Sequence, residues 1–256
     1  MAIHPVLTLR PHGGAFSYPG GNVSAKKVVV FFDWQNVYKR AREAFFDATH
    51  DEYTKGQADA VDLALTLLAK AQALHPDEML ELHEVRIYRG RPVQQRDPKG
   101  YDAFQRQDGR WRRNQKIRTV YRDIKYPRDW GHPSCVEKPR EKGIDVALAV
   151  DLVALARDES YDIAILMSAD YDLIPAVDYV QHRHQHRGAG PLIEVAAWKS
   201  DITDRPLRLK SQRHRLWCHW LERSDYYGAE DPTDYRLSAD ARRPSGAPVP
   251  GGWLSR

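Results

Sequence analysis

The sequence predicts an α/β protein built on a mainly parallel sheet with helices on both faces. Three observations predict it. Two short apolar runs, Val28 to Phe32 and Ile163 to Met167, lack the alternation of a half-exposed strand and read as strands buried on both faces. Segments with helical apolar spacing alternate with the strands along the chain. Each run also ends at once in polar residues, Asp33-Trp-Gln-Asn36 and Ser168-Ala-Asp-Tyr-Asp172, at the sheet edge where open α/β folds bind ligands.

Residues 1 to 25 carry Pro, Gly, His and Ser without periodicity and read as an irregular N-terminal arm. The first strand, Lys26 to Phe32, is followed by a helix from about Val37 to Phe46. A second helix runs from about Gln57 to Leu74, with Val61, Leu65, Leu68 and Leu74 as its apolar positions and Pro76 ending it. The second strand is Leu82 to Tyr88, a third helix spans Tyr101 to Gln115, and the third strand is Ile117 to Tyr121. Tyr126 to Pro133 has the Pro and Gly density of a loop. After Gly143, the positions Ile144, Leu148, Leu152 and Leu155 mark a helix, since residues at that spacing share one face. The fourth strand, Ile163 to Met167, leads to a helix from Pro175 to His186, and Leu192 to Ala197 makes a fifth strand. A basic terminal helix over 205–223 and a disordered tail over 224–256, rich in Asp, Pro, Gly, Ser and Arg, complete the expectation. The main domain thus covers 26–223, with a basic insertion around 89–140.

A chain of 256 residues is long enough to bury one full core. No apolar run approaches the roughly 18 residues of a membrane span, and the N-terminus lacks a secretory leader, so the expected location is the cytoplasm, with no membrane partner. Cys135 and Cys218 are far apart, which disfavours both a disulfide framework and a cysteine zinc site. The net charge is only +4, but Arg86 to Lys142 holds 17 Lys and Arg against 7 Asp and Glu, a local excess of +10. Such a segment suits a polyanion.

Right-handed crossovers put every parallel strand end on one edge, so Asp33, Asp170 and Asp172 face one crevice if the first and fourth strands are neighbours. Clustered aspartates repel and take up protons unless a cation offsets them. All-oxygen ligation fits Mg²⁺ or Mn²⁺ better than zinc, and such ions serve phosphoryl transfer.

These residues also carry a family resemblance. Asp33-x-x-Asn36 after a buried strand, Lys142-Gly-Ile-Asp145 opening a helix that continues to Asp151, and Ser168-Ala-Asp-Tyr-Asp172 after a later strand resemble the NYN domains of the PIN-like nuclease superfamily. Ala169 and Leu173 stand where that family more often has Gly and Phe. The resemblance implies a Rossmann-like three-layer α/β/α sandwich with a five-stranded sheet of order 3-2-1-4-5, and a Mg²⁺- or Mn²⁺-dependent endoribonuclease acting on single-stranded or structured RNA. Carried over by position, Asp33, Asp145 and Asp170 are metal ligands, Asp172 is a further ligand or water-orienting carboxylate, and Asn36 and Ser168 are supporting polar groups. Lys142, Arg89, Arg91, Arg112 and Arg113 are the phosphate-binding candidates.

Each assignment has a plainer competitor. Asp33 is also placed to cap the following helix, Asp145 sits where a helix dipole favours an acid, and Asp172 is placed to cap the helix near Pro175. Asp151 lies six residues beyond Asp145, hence about 120° away around the helix, and reads as a supporting or buried hydrogen-bonding group. The aromatic residues Trp111, Tyr121, Tyr126 and Trp130 suit either base stacking or packing. A non-catalytic RNA-binding module on the same fold is the alternative function. A phosphatase of the haloacid dehalogenase type would need Asp-x-Asp at the first motif, and position 35 is Gln.

Overall fold

The computed structural model describes residues 24–47, 50–188, 190–203 and 207–237, apart from the Arg187 side chain. Most of the expected N-terminal arm and residues 238–256 of the expected tail lie outside the described residues. Among the described residues, six parallel strands form one sheet in the order β3-β2-β1-β4-β5-β6. They are β1 (Lys26–Asp33), β2 (Leu80–Arg91), β3 (Ile117–Asp123), β4 (Ile163–Met167), β5 (Leu192–Trp198) and β6 (Cys218–Leu221). The helices are α1 (Trp34–Phe45), α2 (Ala60–Leu74), α3 (Pro98–Trp111), α4 (Ile144–Arg157), α5 (Ile174–Arg187) and α6 (Arg223–Gly228).

The layers follow from strand alternation. Val28, Val30 and Phe32 point into a core shared with α1 and α2, while Val29 and Phe31 point into a second core with α4 and α5. All five are at most 1% exposed, which is why the run carries no polar residue. Burying each side chain is worth roughly 1.5–3 kcal/mol, so β1 anchors both layers. Helix starts follow capping chemistry. Asp33 accepts from Asn36 N at 3.2 Å, which starts α1 at Trp34, three residues earlier than apolar spacing suggests. Asp59 accepts from Val61 N and Asp62 N and delays α2 to Ala60.

The expected order 3-2-1-4-5 is present, extended by one strand. Instead of a helix over 205–223, the described residues 207–217 are irregular and 218–221 form β6. His219 makes this stretch look solvent-loving, yet it is 3% exposed because its Nε2 lies 2.6 Å from the buried Glu194 carboxylate on β5. Glu194 also meets His75 Nε2 at 2.6 Å, and these partners hold its pKa below the ordinary value against the opposing effect of burial.

Residues 223–237 are likewise not a disordered tail. Helix α6 is opened by a reciprocal Glu222 and Asp225 capping box, and fully buried Tyr226 packs on Phe45, Phe46 and Trp198. The Tyr226 hydroxyl accepts from Gly56 N at 2.9 Å. Further on, buried Asp231 accepts from Tyr235 at 2.6 Å and pairs with Arg110 at 3.2 Å, tying the segment to α3. Sequence composition hides this because the apolar anchors are single aromatics among polar residues. Replacing Tyr226 by Ala is expected to lower unfolding free energy by about 3 kcal/mol or more in a denaturant titration, where a dangling tail would give no change.

Candidate metal centre

The site is set by the register of the two central strands. Phe32 pairs with Met167, so Asp33 and Ser168 leave the sheet side by side. The Ser168 hydroxyl donates to Asp33 Oδ2 at 3.0 Å and accepts from Asp170 N at 3.0 Å, which locks the two strand ends together. Asn36, one turn into α1, accepts from Ala169 N at 3.2 Å. Beyond Ser168 the chain makes a short 3-10 turn, Tyr171–Leu173, capped by Asp170 Oδ1 accepting from Asp172 N at 3.0 Å.

The third acidic element arrives at the start of α4. Gly143 adopts φ +75, a left-handed conformation that glycine reaches without strain, and this turn leads directly into Ile144 and Asp145. Carboxylate oxygens of Asp145, Asp170 and Asp172 all lie within 4.8 Å of one another. That spacing is compatible with one shared ion, held directly or through a bridging water. The donors are all hard oxygens, which fits Mg²⁺ or Mn²⁺ in kind.

Asp33, Asn36, Asp145 and Asp170 line one open crevice of about 260 Å³, together with Gln35, Lys39, Glu141 and Ile144. Asp145 and Asp170 therefore belong both to the oxygen triplet and to this crevice. Asp33 is not in the triplet; it lines the crevice beside Asp170 and caps α1 as well. Burial raises its pKa to about 6, with the Glu141 and Asp170 charges adding to the rise and the Asn36 and Ser168 hydrogen bonds opposing it. Asp172 is exposed and makes no cap on α5.

Glu141 escaped the sequence reading although it directly precedes Lys142. Its Oε1 accepts from Gly90 N at 2.8 Å, and burial raises its pKa while Arg89 and Lys39 lower it. Gly90 is required for this approach, since a Cβ there would lie 2.6 Å from Glu141 Cγ. Gln35 and Lys39 were also missed. They share one face of α1, and Lys39 Nζ donates to Gln35 Oε1 at 2.9 Å.

Other candidates go elsewhere. Asp151 turns away and accepts from Arg86 and from the Tyr88 hydroxyl, both at 2.8 Å. Arg89 points inward, its guanidinium 4.5 Å from the Phe104 ring centroid and 5.2 Å from Trp111, and burial lowers its pKa to about 10. Arg91 pairs with Asp123 and lies over Tyr121, while Arg112 pairs with Asp108. Arg112 and exposed Arg113 precede the start of β3, at the sheet edge opposite Asp33, so the fold does not bring them to the crevice. Trp111 is core, packed edge-on against Trp34 at 4.7 Å. Exposed Lys142 is next to Glu141, and Arg122, Lys125 and Arg140 are also exposed near this edge, with no carboxylate partner among the described residues.

A six-stranded parallel sheet with helices on both faces, and aspartates gathered at its carboxyl edge, defines a PIN-like α/β/α protein with a candidate cation site. The chain belongs to the NYN domain family, whose model matches residues 27–191. It is also similar to the crystal structure of a protein of unknown function from Vibrio parahaemolyticus, at 21% identity and a TM-score of 0.38, over 68% of this chain and 81% of that one. No curated protein matches the sequence.

The raised Asp33 pKa makes a signed prediction. The folded state holds this proton more tightly than the unfolded chain, so stability contributed by Asp33 is lost as pH rises from about 4 through 6. Asp33→Asn is then expected to stabilise the metal-free protein by about 1–3 kcal/mol at pH 7.5. That gain should shrink to near zero at pH 4, as read by thermal melts in EDTA. A variant less stable than wild type at pH 7.5 would contradict the burial penalty.

Proposed function

We propose that the chain is a divalent-metal-dependent endoribonuclease working in the cytoplasm. The observation that carries the reading is the convergence of Asp33, Asp145 and Asp170 on one open crevice, with Asp172 completing an oxygen triplet. Membership of the NYN family supports it. Among the described residues no helix is long and apolar enough to cross a membrane, and both cysteines are free thiols, as suits a reducing compartment.

Asp145, Asp170 and Asp172 would hold the cation, with Asp33 and Glu141 as the facing carboxylates. A bound Mg²⁺ or Mn²⁺ supplies a low-pKa water and offsets charge on the phosphate oxygens. Asp33, with its pKa near 6, is ionised at neutral pH and able to orient and accept a proton from water. Ser168 joins the Asp33 side chain to the Asp170 backbone, and Asn36 ties α1 to Ala169, which orients the crevice acids. Lys39 is the cationic side chain in the crevice wall, suited to a non-bridging phosphate oxygen. A binding-only module gains nothing from so many carboxylates beside a polyanion.

Electrostatics outside the crevice also suit RNA. The +10 of residues 86–142 is partly spent on internal partners, since Arg86, Arg91, Arg110 and Arg112 all form ion pairs. Arg122, Lys125, Arg140 and Lys142 are exposed beside the crevice. Past Asp170 in the chain, Tyr171 lines a separate groove with His182, Lys210 and Arg213, the last paired with Asp178.

Single-stranded RNA incubated with Mn²⁺ or Mg²⁺ is expected to be cut internally, with the rate falling on the order of 100-fold or more in Asp33→Asn, Asp145→Asn and Asp170→Asn. Salt-sensitive binding without cleavage under any divalent ion would instead support the non-catalytic RNA-binding reading.

A further inference from the structure

A second cavity, of about 320 Å³, adjoins the acidic crevice and shares Gln35 and Glu141 with it as common wall. That volume is at the small end of ligand pockets and suits a single ring system. Its walls are aromatic, with Phe104 nearly buried and Tyr38 and Tyr53 toward the outside.

Its inner wall carries an unmatched set of donors. Arg89 Nη1 donates to Gln107 Oε1 at 2.6 Å, and this fixes which way the Gln107 amide faces. Gln107 is 6% exposed, and its Nε2 has no protein acceptor among the described residues. The remaining Arg89 N–H groups likewise have no hydrogen-bond acceptor among the described residues, although the guanidinium is held by the Phe104 and Trp111 rings. Both side chains line the cavity, where these donors are open to a ligand, so the wall suits a ligand edge made of acceptors.

We propose that this cavity is a nucleobase subsite, selective for guanine, that seats the base of a nucleotide next to the phosphate in the crevice. The inference rests on the ribonuclease reading for its substrate class. Guanine presents O6 and N7 as adjacent acceptors, the edge that Arg reads in nucleic acids, whereas adenine and cytosine place an amino donor on the corresponding edge. Uracil offers one keto oxygen there. The aromatic walls supply stacking that any base accepts, so selectivity falls to Arg89 and Gln107.

The test uses fluorescein-labelled hexamers of uridine carrying a single G, A or C, or none, with anisotropy read in EDTA so that no cleavage intervenes. The G hexamer is expected to bind about 10-fold tighter than the others. Replacing that G by 7-deazaguanosine, which lacks the N7 acceptor, should remove most of the preference without altering the protein. Gln107→Glu, which keeps the bond to Arg89 but loses the amide donor, should do the same, with circular dichroism checking its fold. Equal affinity for all four hexamers, or a G preference untouched by both changes, would overturn the subsite. Adding Mn²⁺ to the same hexamers separates the two readings. Cleavage with no base preference in binding removes the subsite and leaves the ribonuclease, while G-selective binding without cleavage removes the ribonuclease and leaves the subsite.

Discussion

Parallel pairing of β1 with β4 is the constraint on which the rest of this molecule depends. With Phe32 opposite Met167, two segments separated by more than a hundred residues deliver Asp33 and Ser168 to adjacent positions. One hydroxyl, Ser168 Oγ, then joins the Asp33 side chain to the Asp170 backbone. Everything else in the crevice is referred to that junction: Asn36 ties α1 to it, the left-handed turn at Gly143 leads into Asp145, and Gly90 leaves the space Glu141 occupies. A one-residue slip of either strand would exchange the side chains that fill the two cores and separate the carboxylates, so core packing and site geometry are the same requirement.

Gathering carboxylates in this way is unfavourable to the fold by itself. Both Asp33 and Glu141 have raised pKa values with burial as the leading cause, a sign that neither charge is fully compensated by the protein. By contrast, half-buried Asp151 is paired with Arg86 and the Tyr88 hydroxyl, and buried Glu194 lies against His75 and His219. The difference separates acids paired within the scaffold from acids that line the crevice. It also explains why removing the Asp33 charge should strengthen the metal-free fold while disabling the site.

Much of the architecture is legible in the sequence because buried parallel strands leave an unmistakable mark. Val28 to Phe32 and Ile163 to Met167 have no polar residue to misplace, and the motifs attached to their ends follow directly. The edge of the sheet is less legible. Strand β6 has four residues, one of them a histidine whose burial is understandable only once Glu194 is placed beside it. The segment around Tyr226 and Tyr235 has the composition of a tail, and its packing depends on partners in α1, α3 and β5. Arginines were the weakest guide. Arg89 and Arg112 look alike in a basic run, yet one is stacked in the interior and the other pairs with its own helix, because local charge counts carry no direction. Glu141 was invisible as a site residue for the complementary reason: its contact with Gly90 comes from another strand.

The most direct measurement is a calorimetric titration with Mn²⁺ repeated in buffers of different ionisation heat, which counts protons released on binding. If the cation is held beside Asp33, binding at pH 6 should release about half a proton, since Asp33 is then near half-protonated, and at pH 8 the release should fall to nearly none. Asp145→Asn and Asp170→Asn should weaken the binding by at least about 10-fold. Absence of Mn²⁺ binding, or binding unchanged by both substitutions, would contradict the claim that these strand and helix ends build a metal centre.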